Sequence, residues 1–309
     1  MPQIEPLTPE LQKIAMEELG EVPDRIPQDL MALKTWIEQQ PHLRARTDDQ
    51  FLIQFLRGCK YSLEKAKVKI DLYFSMKTKY PQMLAVTDVD DARFKEIHNT
   101  GCFTLLPTPL NENGPRILFY QYNYDPDKMS IEDIYLPTSA MLELTLLNDP
   151  YAGIHGFVYI FDFEKLTARH LLQLTPSICK RVVTYLEKSL PLRVRGVYFI
   201  NIPAAAQPIL KFTISLCSEK IQKKMHVLGH GIKDLIKHIP LKYLPKDYGG
   251  ENGLCSELTQ EYIKVLEQYR DHFKENTKYG TDEHLRVGEK FDLDGLYGVG
   301  GSFRQLVVD

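Results

Sequence analysis

The chain has 309 residues, of which 43% are hydrophobic, and it carries a net charge of −3 at pH 7. These values predict a folded protein with one large domain and a smaller one, and they exclude a wholly disordered chain. No apolar run approaches the roughly 18 residues of a membrane-spanning helix. Residues 1–20 also lack the apolar block of a signal peptide, so we expect a cytoplasmic protein.

The cysteines argue against a disulfide framework and against a zinc site. They are odd in number, scattered, and never in a Cys-x-x-Cys pair. The five are Cys59, Cys102, Cys179, Cys217 and Cys255. We expect reduced thiols, no bound metal and no cofactor.

Positive charge is concentrated in one segment. Residues 180–224 contain nine Lys or Arg and two Glu, a net charge of +7, which leaves −10 on the other 264 residues. A basic region inside an acidic protein indicates an anionic partner. On charge alone, a solvated helix face without a partner is the alternative.

The first part of the chain predicts a small helical subdomain that ends near Leu84. Thr8 precedes a proline, as at many helix starts. Thr47 and Gln50 have the spacing of a capping box, and Ser62 precedes apolar residues at helical intervals. We place this subdomain at residues 1–87.

The pattern then changes to short apolar runs separated by helical stretches. The runs are unalternating and rich in aromatic and β-branched residues, which is typical of strands buried on both faces. They are residues 117–122, 157–161 and 197–200, with helices expected at 134–147 and 175–190. We therefore predict an α/β domain at 88–258, with a mixed, mostly parallel sheet flanked by helices. A terminal helix and a glycine-containing tail follow at 259–309.

Signatures of catalysis are weak. The chain has no phosphate-binding loop, no Gly-x-Ser-x-Gly elbow and no His-Glu-x-x-His helix. His226 and His230 have the spacing of a metal pair, but the glycines beside His230 break the helix and no third ligand is near. Asp162 follows a predicted strand, where a turn residue is commoner than a catalytic one. We expect no catalytic residue and no enzyme, with an unrecognised lipid-modifying activity through Asp162 as the alternative.

Several motifs, in order along about two hundred residues, resemble the CRAL-TRIO lipid-transfer family. They are residues 55–57 (FLR) with 61–66 (YSLEKA), 161–164 (FDFE), 174–177 (LTPS), 191–196 (PLRVRG) with 199–201 (FIN), and 244–250 (LPKDYGG). The resemblance is closest to the branch with the alpha-tocopherol transfer protein, the clavesins and insect members. It implies an amino-terminal helical subdomain followed by a domain that encloses a lipid.

The resemblance also implies a binding site for phosphatidylinositol bisphosphate. The basic positions that match are Arg193, Arg195, Lys220 and Lys224. Residues two apart in an extended segment project to one side, and lysines four apart share a helix face. Cys59 departs from the family, which commonly has a second Arg there. We expect reversible, peripheral association with endosomal or plasma membranes, a monomer, and no nucleic acid partner.

A pocket between the sheet and the helices is further implied. Its expected lining is Tyr135, Thr138, Leu142, Ile160, Tyr185, Leu186, Val194, Val197 and Phe212. Residues 203–217 would form a mobile gate with two apolar faces, Phe212 on one and Leu210 and Ile214 on the other. The expected ligand is tocopherol-like or retinoid-like. Phospholipid exchange, or an adaptor that only senses phosphoinositides, remains the alternative.

Overall fold

The computed structural model describes residues 2–297 and shows a mixed α/β protein. The amino-terminal part is helical. Its helices are α1 (Pro9–Ile14), which continues as a π-helix (Ala15–Leu19), α2 (Ile26–Glu38), α3 (Asp49–Gly58), α4 (Leu63–Lys79) and α5 (Pro81–Leu84). The Thr8 hydroxyl caps α1 as expected, whereas α3 is capped by Asp48, one residue after the predicted Thr47.

A five-stranded sheet forms the centre of the main domain. Its strands are β2 (Phe103–Leu105), β3 (Arg116–Gln121), β4 (Phe157–Asp162), β5 (Val194–Ile200) and β6 (Met225–Val227), adjacent in that order. β2 is antiparallel to β3, and the other neighbours are parallel. The prediction of a mostly parallel sheet is confirmed; β2 and β6, of three residues each, were too short to be recognised.

Helices cover both faces of this sheet. They are α6 (Ala92–His98), α7 (Ile131–Asn148), α8 (Pro150–His155), α9 (Ala168–Gln173), α10 (Pro176–Val183) with a π-helical end (Thr184–Ser189), α11 (Gln207–Ser215), α12 (Glu219–Gln222) and α13 (Ile232–Leu235). α7 is buried along almost its whole length, as its apolar sequence predicted. No helix within residues 2–297 has the length and apolar character needed to cross a membrane.

Alternation along β4 separates the two sides of the sheet. Phe157 and Tyr159 belong to the larger core, which faces the helices of the amino-terminal part, and Val158 and Ile160 belong to a second core on the opposite face. Successive side chains of a strand point to opposite faces, so the assignment of one residue fixes the rest.

The chain ends by returning to the amino-terminal helices. After α14 (Cys255–Gln268) and α15 (Arg270–Glu275), β7 (Gly280–Thr281) pairs antiparallel with β1 (Leu43–Arg44). Arg286 then binds Asp71 on α4 with Nη1–Oδ2 and Nη2–Oδ1 distances of 2.6 and 2.9 Å. Helix α14 crosses the expected boundary at residue 258, and the domain limits stay a prediction. The glycine-containing stretch from residue 298 onward lies outside the described residues.

Candidate functional site

An apolar cavity of about 150 Å³ lies between the sheet and the helices. Alternate residues of β3, β4 and β5 form its floor, and α7, α10 with its π-helical end, and α11 contribute to its other walls. The lining is Tyr120, Tyr122, Ile131, Tyr135, Tyr159, Phe161, Phe163, Leu174, Ile178, Cys179, Val182, Val183, Leu186, Glu187, Val194, Val197, Phe199, Ile209, Leu210, Thr213, Cys217, Ile221 and Met225. Of the described lining residues, Glu187 alone is a carboxylate or a base.

Four of the nine residues expected in the lining are on the cavity wall. These are Tyr135, Leu186, Val194 and Val197. They come from α7, from the π-helical end of α10 and from β5, so the structure does bring together residues from three expected elements.

The other five expected residues are not on the cavity wall. Ile160 points to the opposite face of the sheet because it alternates with Tyr159 and Phe161. Leu142 and Tyr185 are almost wholly buried in the core. Thr138 lines a separate small cleft, and its hydroxyl donates to the Ile134 carbonyl at 2.9 Å. Phe212 is half-buried but not on the cavity wall.

Sequence reasoning missed the aromatic floor. Tyr120 and Tyr122 on and after β3 alternate toward the cavity, as do Tyr159, Phe161 and Phe163 on and after β4. The signal was available in β4, because Phe157, Tyr159 and Phe161 alternate with Val158 and Ile160. It was weaker in β3, where Phe119 and Gln121 lie on either side of Tyr120.

Helix α11 covers the cavity with a face that includes Leu210 and not Phe212, which differs in part from the expected one. Ile209, Leu210, Thr213 and Cys217, at helical intervals, lie on the cavity wall. Phe212 and Leu216 are half-buried and outside it, and Lys211 is exposed. Ile209 and Thr213, expected on the inward side, are thus on the wall, whereas Phe212 lies off it and Leu210, expected on the outward side, lies on it. The helix packs against α10, and its two apolar sides left its rotation open in the sequence.

The basic residues around the start of β5 form one cluster with an acidic partner. Arg193 and Arg195 place their Nη2 atoms 2.9 and 2.8 Å from the same Glu18 Oε2. These hydrogen bonds lower the pKa of Glu18 to about 2. Glu18 lies on the π-helix that follows α1, 175 residues from Arg193. Nothing in the sequence pattern pointed to this contact.

Lys224 connects the arginines to the other lysines. Its ammonium donates to the Val194 carbonyl. Burial lowers the pKa of Lys224, and neighbouring positive charges act in the same direction. Those charges belong to Lys220, Arg195, Arg193 and Lys60. Lys60 is exposed and next to Cys59, so it adds a basic group beside the position where the family commonly has an Arg.

The contacts of Asp162 and His226 are typical of structural roles. The Asp162 carboxylate accepts hydrogen bonds from the Tyr248 hydroxyl and, at 2.8 Å, from Asn201 Nδ2. The His226 ring stacks on Tyr198, with centroids 4.9 Å apart. Among residues 2–297, no three His, Cys, Asp or Glu side chains are grouped so as to hold a metal ion.

Comparison with known families identifies the domain that holds both the cavity and the basic cluster. Residues 99–250 match the CRAL/TRIO domain, and residues 22–94 match the Pinta-like UBA domain. The chain therefore contains a CRAL-TRIO domain, which spans residues 99–250. The CRAL-TRIO match contains all five strands of the central sheet and helix α11, so the resemblance inferred from the motifs is confirmed.

Two curated relatives, clavesin-1 and alpha-tocopherol transfer protein-like, agree with this assignment. Clavesin-1 of Pongo abelii is 29% identical over 245 residues, which cover 79% of this chain and 69% of clavesin-1. Alpha-tocopherol transfer protein-like of Mus musculus is 26% identical over 254 residues, 80% of this chain and 71% of that protein. The crystal structure of Sfh5 superposes with a TM-score of 0.49 at 13% identity and covers 85% of this chain and 98% of its own. CRAL-TRIO proteins bind and transport lipids, and the cavity lies in the matched domain.

Proposed function

We propose that this CRAL-TRIO protein encloses one tocopherol-like or retinoid-like lipid under α11 and releases it at membranes that contain phosphatidylinositol bisphosphate. The observation that carries the proposal is the apolar cavity walled by the sheet on one side and by the short helix α11 on the other. An enclosed apolar space with few polar groups is the usual form of a site for a hydrophobic ligand.

The two sides of α11 support its proposed role as a gate. Its inner side meets the cavity through Leu210 and Thr213, while Phe212 is only half-buried on its outer side. An outer apolar side chain next to the exposed Lys211 suits a helix that lies at an anionic membrane surface. Outward movement of α11 would open the cavity toward that membrane.

The basic cluster supports membrane recognition close to the gate. Arg193 and Arg195 flank Val194, and Lys224 precedes Met225; both Val194 and Met225 are on the cavity wall. Arginine guanidinium groups suit phosphate oxygens, and lysine adds point charge. A headgroup bound here would lie one residue away from the cavity wall along two strands.

Replacing the cluster tests membrane recognition. The variant with Arg193, Arg195, Lys220 and Lys224 all changed to Ala should bind vesicles containing phosphatidylinositol bisphosphate at least about a hundredfold more weakly, since each basic group near an anionic surface contributes about 1 kcal/mol. A control with Lys128, Lys237, Lys274 and Lys278 changed to Ala loses the same charge from exposed positions. Equal loss of vesicle binding in both variants, measured by sedimentation, would contradict a specific site.

The size of the cavity favours one second candidate. Its volume of about 150 Å³ is below the roughly 300–1,000 Å³ typical of ligand pockets. A fixed cavity of this size would suit an adaptor that recognises phosphoinositide membranes without carrying a lipid. Native mass spectrometry of the protein purified from its own source tissue separates the two, because a carrier retains a lipid of defined mass.

A further inference from the structure

Two tyrosine hydroxyls on the cavity floor lack a hydrogen-bond partner within the part of the chain that the structure describes. They belong to Tyr120 on β3 and Tyr159 on β4. The residues are only 3% and 4% exposed, so bulk water does not satisfy the hydroxyls. Buried polar atoms are almost always paired, and an exception calls for a cause, such as a ligand that binds there.

Two buried tyrosines that lie away from the cavity are paired. The Tyr73 hydroxyl donates to Glu143 Oε2 at 3.0 Å, and the Tyr124 hydroxyl donates to Gln173 Oε1 at 2.9 Å. The fold thus supplies partners to phenols in its core. Tyr120 and Tyr159 differ from these two in that both line the cavity.

The two phenols are neighbours on the same face of the sheet. Tyr120 pairs with Phe161 and Tyr159 pairs with Leu118 across β3 and β4, so the tyrosines are diagonal to each other. The rest of the floor around them is aromatic, and Leu210 and Thr213 of α11 form the wall on the other side. Two unpaired hydroxyls therefore lie close together in a wall that also contains the phenols of Tyr122 and Tyr135, the Thr213 hydroxyl and the Glu187 carboxylate, and that is otherwise apolar.

This arrangement defines a class of ligand. Burial raises the pKa of both phenols, which stay neutral at physiological pH and can each donate and accept one hydrogen bond. A neutral hydroxyl or carbonyl group matches them. A phosphate does not, since no Lys or Arg among the described residues lines the cavity.

We propose that Tyr120 and Tyr159 hydrogen-bond the hydroxyl or carbonyl group of a neutral lipid whose polar end lies against the sheet. The inference rests on the proposed lipid-carrier function and deepens it. It selects an alcohol, phenol, aldehyde or ketone with a long apolar body. A pure hydrocarbon is disfavoured because it leaves both phenols unpaired, and a phospholipid because its charged headgroup would be buried without a counterion.

Competitive loading tests the ligand class. Delipidated protein is incubated with vesicles that contain equimolar amounts of a lipid alcohol and its deoxy analogue, and the bound lipids are quantified by mass spectrometry. The pairs are α-tocopherol, retinol and 1-hexadecanol, each with the analogue in which hydrogen replaces the hydroxyl. The parent protein should load the hydroxylated member of at least one pair at least about tenfold in excess, because a site that hydrogen-bonds a hydroxyl rejects the analogue that lacks it.

The variants separate hydrogen bonding from packing. The double variant Tyr120→Phe with Tyr159→Phe should lose this preference while still loading the deoxy lipid. Its delipidated form should melt no lower than the delipidated parent, because no protein hydrogen bond is removed. The control Tyr124→Phe removes a formed hydrogen bond, so it should lower the melting temperature and keep the preference.

Four outcomes of these experiments would contradict the proposal. Equal loading of both members of every pair, or a preference that survives in the double variant, would overturn the role of the two phenols while leaving the carrier function standing. A delipidated double variant that melts as low as Tyr124→Phe would show that the phenols are already paired. If the parent loads none of the six lipids, the proposed ligand classes fail and the inference fails with them.

Discussion

Glu18 occupies the arginines that we propose for headgroup binding. Its single Oε2 atom receives hydrogen bonds from Arg193 and Arg195, so a phosphate must displace it or share its donors. Glu18→Gln should therefore raise the affinity for vesicles containing phosphatidylinositol bisphosphate about fivefold, since one charge near an anionic surface is worth about 1 kcal/mol. Vesicle sedimentation measures this affinity. Glu17→Gln, one residue earlier and exposed, is the matched control and should change little.

The same contact has a defined pH dependence. A carboxyl whose pKa is lowered in the folded protein stabilises it above the ordinary value of 4.5, and that contribution is lost as the pH falls through the lowered value of about 2. Glu18 thus stays ionised at pH 5. We expect the ratio of vesicle affinities of Glu18→Gln and parent to be the same at pH 7 and pH 5. A ratio that falls toward one at pH 5 would show that Glu18 is protonated there.

At the scale of elements, a buried ion pair connects helices α4, α7 and α15. Lys77 Nζ is 2.7 Å from Glu143 Oε2, and His272 Nε2 is 2.7 Å from Glu143 Oε1. Burial by itself raises the pKa of Glu143, but the charges and hydrogen bonds of Lys77 and His272 outweigh it and hold this pKa below its usual range. The carboxylate therefore stabilises the fold above about pH 4.5 and loses this effect in acid.

Removing Lys77 alone should lower the free energy of unfolding more than removing Lys77 together with the charge of Glu143. Lys77→Met leaves the buried carboxylate of Glu143 without its ammonium, and we expect a loss of about 3–5 kcal/mol in the free energy of unfolding. Adding Glu143→Gln to that variant removes the charge and should restore part of the loss. Urea unfolding at pH 7 measures both. A single variant that loses less than the double variant would contradict this account.

The two sides of α11 should respond differently to a charge. Leu210→Asp puts a carboxylate on the cavity wall and should abolish ligand retention in gel filtration. Phe212→Asp should slow transfer between vesicles at least about tenfold, because moving a Phe into an apolar phase is worth about 1.5–3 kcal/mol and 1.4 kcal/mol is a factor of ten. Ser215→Asp, on an exposed position of the same helix, is the control. Unchanged transfer by Phe212→Asp, with a normal melting curve, would remove the outer side of α11 from the mechanism.

At the scale of the whole molecule, one core joins the helical part to the sheet. Leu33 and Phe51 of the amino-terminal helices belong to the same buried cluster as Tyr159 and Val197 of the sheet, and Leu293 near the end of the described chain belongs to it too. Two parts that share a core should unfold together. We expect a single calorimetric transition with equal van't Hoff and calorimetric enthalpies. For a chain of this length the enthalpy should be about 200 kcal/mol at 60 °C. Two resolved transitions would show independent domains.

The sequence by itself predicted three of the five central strands and indicated the family. Short aromatic and β-branched runs predicted β3, β4 and β5 because a strand buried on both faces must be apolar throughout. The ordered motifs led to the CRAL-TRIO family, and the four basic positions could be named because charge and spacing are read directly from the sequence. These features depend on local periodicity or on chain order.

Only the tertiary structure decided which side chains meet. Ile160 and Tyr159 are equally apolar in sequence, and the side on which the helices pack determines that Tyr159 faces the cavity. The rotation of α11, which places Leu210 on the cavity wall, could not be predicted because the helix has two apolar sides. The pairing of Glu18 with Arg193 joins residues 175 positions apart. Periodicities of 2 and 3.6 residues tell which residues share a face, but contacts between distant elements decide what that face meets.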